Sequence, residues 1–165
     1  MSIRFISLLQ VLVLAGTAAL SCLQGAGMPP AAGMSQKLKR SDSKTSIYLD
    51  YINNSSLPDT AAKVPIHVPG GKELRLSGWA IDQPNNVVAG GVDVVIDQVA
   101  YSAVYGSERS DVAASLKNPA CKNSGYNLVL PAGMLAKGPH VLTIRAISHD
   151  KKSYYEGPTA KITID

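Results

Sequence analysis

The chain of 165 residues is poor in the groups that chemistry at a protein site needs. It has two cysteines, Cys22 and Cys121, which excludes a cysteine-held zinc site and a multi-disulfide scaffold. Its three histidines, His67, His140 and His149, lack paired ligand spacing. No G-x-S-x-G nucleophile turn is present. Ser41-x-x-Lys44 and Ser148-x-x-Lys151 match a Ser–Lys spacing, but the first lies in a linker and the second at an exposed hairpin end. Nothing there would desolvate the lysine. Cys121 with His140 or His149 would make a thiolate pair only if folding brought them together, and the polar stretch 118–124 gives no sign of it. Residues 82–86 are oxygen-rich, but Pro84 interrupts them and no Glu follows at calcium-loop spacing. Asp93 and Asp97 share a strand face about 13 Å apart, farther than the roughly 5–10 Å of glycosidase carboxylates. They are expected to be a solvated face. No catalytic residue, metal ligand or cofactor is therefore assigned, and the chain is read as a non-enzyme.

Charge of one sign is missing from the part that folds. The formal net charge is +4, yet from Ser46 onward eleven bases balance eleven acids. Arg4, Lys37, Lys39, Arg40 and Lys44 carry the excess ahead of that point, against Asp42. A nucleic-acid-binding domain concentrates charge on a folded face, so that class is excluded.

What is present begins with a leader. Arg4 gives a short positive region, residues 5–14 an apolar run, and residues 15–21 a small-residue segment. This is the layout of a secretory signal, and the run is shorter than the ~20 residues of a spanning helix. Ala19-Leu20-Ser21-Cys22 resembles the lipobox of bacterial lipoproteins, although that family prefers Leu where Ala19 stands. The resemblance implies acylation of Cys22 as the first residue of the mature chain. Leu23 after it, rather than Asp, implies the outer membrane. An ordinary small-x-small cleavage site, leaving a periplasmic or secreted protein, is the alternative.

Residues 22–45 hold Gly25, Gly27, Pro29, Pro30 and Gly33 without an apolar period and read as a flexible basic tether. From residue 46 to 165 the pattern alternates with period two, the mark of strands with one buried face. Candidate strands lie near 47–52, 64–68, 74–81, 92–97, 99–105, 126–130, 140–147 and 160–164. Pro65 puts its strand at an edge, and Gly78 suggests a bulge. Residues 110–116 read as a helical turn capped by Ser110. This is an all-β pattern: an antiparallel β-sandwich with one short helical turn, behind a signal helix and a linker. A small barrel is the alternative.

Several phrases recur together in order: Gly78-Trp79-Ala80-Ile81-Asp82, Arg109, Asp111-Val112-Ala113, Ser124-Gly125-Tyr126 and Gly138-Pro139-His140-Val141-Leu142. The set resembles bacterial immunoglobulin-like modules with the pattern GWA-x-D, R-x-DVA, SG-aromatic, G-x-H-x-L. Ser110 stands where the pattern usually has Pro. The resemblance covers about residues 47–164 and implies an immunoglobulin-like sandwich without catalytic activity.

Trp79 is expected in the core, and Arg109 with Asp111 to position the helical turn. The expected function is a non-catalytic envelope-tethered binding or structural lipoprotein, held to the membrane by its lipid and contacting an envelope glycan or protein. Tyr101, Tyr105, Tyr154 and Tyr155 are the candidate ligand surface, although adjacent strand residues point to opposite faces. The alternative is a periplasmic inhibitor or immunity-type protein that blocks an enzyme through the loop 118–125. Labelling with a fatty-acid analogue is expected to mark the wild type and not Cys22→Ser; retained label in the variant would remove the anchor.

Overall fold

The structure is a computed structural model that describes residues 28–53, 55–57 and 63–165. The expected leader 1–21 and Cys22 lie outside the described residues. In chain order the strands are β1 (Lys39–Arg40), β2 (Ile47–Ile52), β3 (Ser55–Ser56), β4 (Ile66–Val68), β5 (Leu74–Asp82), β6 (Val87–Val88), β7 (Gly91–Ile96), β8 (Val99–Ser102) and β9 (Val104–Ser107). The helix α1 (Ser110–Ser115) follows, then β10 (Gly125–Leu130), β11 (Gly138–Ile147) and β12 (Ser153–Ile164).

Alternation past residue 46 closes two sheets. One runs β3-β2-β5-β10-β9 with β6 beside the end of β5; the other runs β1-β12-β11-β7-β8 with β4 also on β12. The central strands β2-β5-β10-β9 and β12-β11-β7-β8 reproduce the A-B-E-D and G-F-C-C′ order of an immunoglobulin sandwich. Two pairings depart from an all-antiparallel reading: β1 and β4 each run parallel to β12. Parallel neighbours need a long connection, and nearly the whole domain separates these segments from β12.

Leu74, Leu76 and Ala80 of β5 and Leu128 and Leu130 of β10 face inward against Val92, Val94 and Ile96 of β7 and Leu142, Ile144 and Ala146 of β11. Burying each large side chain stabilises the fold by about 1.5–3 kcal/mol. Two polar devices join the layers. The Asp82 carboxylate is fully buried at the end of β5. It accepts from the Tyr155 hydroxyl of the opposite sheet at 2.9 Å, from the His149 amide at 2.8 Å and from Asn85 Nδ2 at 2.9 Å. Burial alone would raise its pKa, but these donors hold it below the ordinary value. The second device is a crossing. Tyr126 pairs with Gly78 in the β10–β5 register, and its buried hydroxyl donates to the Tyr48 carbonyl of β2 at 2.9 Å. A Cβ on Gly78 would stand 2.0 Å from that carbonyl and 2.7 Å from the hydroxyl, so close approach requires glycine there. The bulge lies opposite, on β2 between Leu49 and Tyr51.

Residues 31–41, expected within a flexible tether, are docked on the second sheet. The Gly33 amide donates to Ala100 O and the Ser102 amide to Ala31 O, each at 2.8 Å. The Ser35 amide donates to Asp93 Oδ2 at 2.6 Å, and the Ser41 amide to Tyr154 O at 2.7 Å. The contacts run through the backbone, so no apolar period announces them. Gly33 serves close approach: a Cβ there would meet Asp93 Oδ2 at 2.6 Å. Asp93 is consequently not on a solvated face but 1% exposed. Asp97 lies in the β7–β8 turn with φ 46°, where it clasps His140 Nδ1 at 2.5 Å and accepts from the Val141 amide at 3.0 Å.

Tyr126→Phe leaves the Tyr48 carbonyl without its donor and is expected to lower stability by about 1–2 kcal/mol. Gly78→Ala is expected to cost more than about 2 kcal/mol through overpacking. Thermal unfolding followed by circular dichroism measures both, and a Gly78→Ala protein as stable as wild type would contradict the crossing.

Candidate functional site

The inward parity of Leu74, Leu76, Gly78 and Ala80 directs Arg75, Ser77 and Trp79 to the outer face of the first sheet. Trp79 is thus not a core anchor. It is half-buried and stacked on Tyr48, its partner in the β2–β5 register, with ring centroids 4.4 Å apart and planes inclined by 16°. The β2 bulge lets both Asp50 and Tyr51 follow Tyr48 outward. Tyr48 is 53% exposed and Tyr51 49%, a high exposure for rings of this size and the feature that marks the face. On the far side of Trp79 the register places Gly125, which adds no side chain; the Arg109 stem lies over it, 3.1 Å from where a Cβ would be.

Arg109 directly precedes α1 and reaches across this face. Its Nη1 donates to Asp50 Oδ2 at 2.6 Å. Its Nε and Nη2 donate to the two oxygens of Asp111 at 2.9 and 2.8 Å, a forked pairing that fixes the guanidinium plane. Arg109 and Asp111, expected to position the helical turn against a loop, are bonded to each other, and Asp50 of β2 is a partner the sequence did not indicate. Ser110 is the first helical residue rather than the cap; Arg109 holds the cap position, and the Ser110 hydroxyl turns to Glu108 at 2.7 Å. Asn127 completes the surface, its Nδ2 donating to Ser107 Oγ at 3.3 Å. A groove of about 1110 Å³ runs along Tyr48, Asp50, Tyr51, Ser77, Arg109 and Asn127 and reaches Pro158 and Thr159 of β12; Trp79 adjoins it through the stack on Tyr48 and does not itself line it. A smaller hollow of about 430 Å³ shares Tyr51, Ser77 and Asn127 and continues toward Arg75.

The four tyrosines expected as a ligand surface do not come together. The Tyr105 hydroxyl is turned into the protein, accepting from the Ala89 amide at 2.9 Å and donating to Ala80 O at 2.7 Å. Burial pushes it up to about 12. Tyr155 is 5% exposed, its hydroxyl on Asp82. Tyr154 lies 4.5 Å under the Arg145 guanidinium, and Tyr101 is half-buried beside the docked residue Ala32. Strand alternation and the docked segment divide them between interior and surface.

The stretch 118–125 is folded down rather than projecting. Cys121 and Ser124 are fully buried, and Asn118 Nδ2 is bonded to Asn86 O at 2.9 Å. Burial holds the Cys121 thiol above its ordinary pKa. The histidines are engaged elsewhere, His140 with Asp97 and Ala136 O, His149 with Val88 O. Among the described residues no group of three or more His, Cys, Asp or Glu is placed to hold a metal ion, and no helix is long and apolar enough to cross a membrane.

Arg109 hydrogen bonds draw the Asp111 carboxyl down to about 2. A carboxyl depressed in the fold from about 3.9 contributes stability present above pH ~4 and lost as pH falls toward ~2. Arg109→Ala is expected to return Asp111 to the ordinary carboxylate range in an NMR titration; an Asp111 still titrating near 2 would contradict the fork.

No protein-family model matches the chain, and no curated protein matches it. Among solved structures it is similar to CopC from Methylosinus trichosporium OB3b, with 20% identity, 73% of this chain and 94% of that chain covered, and a TM-score of 0.38.

Proposed function

We propose that the chain is a non-catalytic binding module of the bacterial envelope, anchored through Cys22 as an outer-membrane lipoprotein, and that it holds an envelope glycan on the outer face of the first sheet. The observation that carries this reading is the Tyr48–Trp79 stack, left half open with Tyr51 beside it. Pyranose rings present C–H faces that lie flat on aromatic rings, and their hydroxyls pair with carboxylate, amide and guanidinium groups. Asp50, Asn127 and Arg109 supply all three along one groove.

The same groups argue against hydrolysis. Glycosidases need a carboxylic acid that keeps its proton near neutral pH beside a second, ionised one. Asp111, drawn down to about 2 by Arg109, does not keep a proton at neutral pH. Binding without turnover fits this arrangement. A loop-borne inhibitor draws no support from the folded stretch 118–125.

Co-sedimentation of the full chain with insoluble cell-wall glycan tests the proposal. Trp79→Ala and Tyr48→Ala are each expected to weaken binding about tenfold, equivalent to about 1.4 kcal/mol, while Tyr154→Ala leaves it unchanged. Binding that survives both aromatic changes would place the site elsewhere, and absence of any glycan binding would end this reading.

A further inference from the structure

We infer that the end of the second sheet where the docked segment enters is an interaction surface for an anionic lipid bilayer. The inference rests on the envelope reading above and adds the face that the domain turns to the membrane.

Three elements meet at that end. The chain arrives there at residues 28–31 and is held where Ala31 O accepts the Ser102 amide. Strand β1 then lies along Ser153 and Tyr154 at the start of β12. The register pairs Ile147 at the end of β11 with both Tyr154 and Gly91, so the turn 148–152 sits beside the segment. Lys151 Cγ would touch a Cβ on Gly90 at 3.1 Å, and Met34 Cε one on Gly91 at 3.8 Å.

These elements present Lys37, Lys39, Arg40, Lys44, Lys151 and Lys152, all exposed. The facing carboxylates are Asp42, Asp150 and Glu156. Glu156 is divided between Arg40 at 3.5 Å and Arg145 at 3.6 Å. Asp150 is 3.7 Å from Lys152 and also accepts from the Ser148 hydroxyl. Among the described residues Lys37, Lys39, Lys44 and Lys151 enter no salt bridge. The opposite end of the sandwich is mixed, with Asp97 against the start of β11 and Asp165 beside Lys72 and Lys137. Arg4 aside, the excess positive charge of the chain is therefore neither spread evenly nor carried on a free tether. It is fixed on one end of a folded domain, which corrects the expectation that the part that folds is neutral.

Chain length makes this end the near one. Nine residues from Cys22 to Ala31 span at most about 30 Å at roughly 3.3–3.6 Å each. Screened attraction between lysine and anionic headgroups acts over about 8 Å at physiological salt, and a tether this short lets the cluster come within that distance while holding it near the surface. Backbone docking sharpens the effect, because Lys37, Lys39 and Arg40 lose the freedom to move away from Lys151 and Lys152.

Lysine reactivity of the full chain on vesicles tests the inference, with pure phosphatidylcholine compared against phosphatidylcholine containing about one-third phosphatidylglycerol. Amine acylation of Lys37, Lys39, Lys151 and Lys152 is expected to slow at least about threefold on the anionic vesicles alone, and the difference to vanish in high salt. Lys72 and Lys161 are expected to react at equal rates on both. Equal rates at the cluster on both vesicles, or equal slowing at Lys72 and Lys161, would overturn it. Fatty-acid labelling reads the Cys22 anchor separately, so a failed anchor and a failed surface are distinguishable.

Discussion

The crossing of Tyr126 over Gly78 governs which way β5 faces. A phenol ring occupies the inner side of the sheet above a position without a Cβ, and its hydroxyl ends on the Tyr48 carbonyl of the neighbouring strand. That one side chain ties three paired strands, β2, β5 and β10, together. With Gly78 inward, alternation leaves Trp79 no choice but the outer face, where Tyr48 is its cross-strand partner. A one-residue slip would reverse every side chain of the strand. It would bring Trp79 into the interior and abolish the stack on which the functional reading stands.

The two faces of the sandwich are finished differently. On the second sheet, residues 31–41 cover Asp93 and close the outer side of β7, so that strand is buried on both sides. The first sheet receives no comparable cover among the described residues. Its outer side keeps exposed aromatic rings beside a forked arginine network. One face therefore carries the docked residues 31–41, and the other stays open, as the proposed ligand face requires. Asp82 joins the two layers with a carboxylate that a core tolerates only because three donors surround it.

Strand alternation made the sandwich legible from sequence, since Val92, Val94 and Ile96 or Leu74 and Leu76 admit few other readings. Arg109 and Asp111 were legible as a local pair because they are two residues apart. Asp50 was not, since its partnership with Arg109 depends on a bulge and on strand order. Trp79 was misplaced because a lone Trp in a β-rich stretch suggests a core, and only the occupant of the space above Gly78 decides its face. The tyrosines at 101, 105, 154 and 155 shared a residue type but no common side. The docked segment was hidden for a further reason: its glycine looks like flexibility when it serves close packing, and its contacts run through amides.

The central claim is that Trp79 stands on an accessible outer face and meets the ligand there. As the sole tryptophan, it reports on itself by intrinsic fluorescence. The account predicts native emission that acrylamide quenches, quenching that increases in Tyr48→Ala, and protection when cell-wall glycan is added. Native emission that resists acrylamide, as for an interior indole, and that glycan leaves unchanged would contradict it.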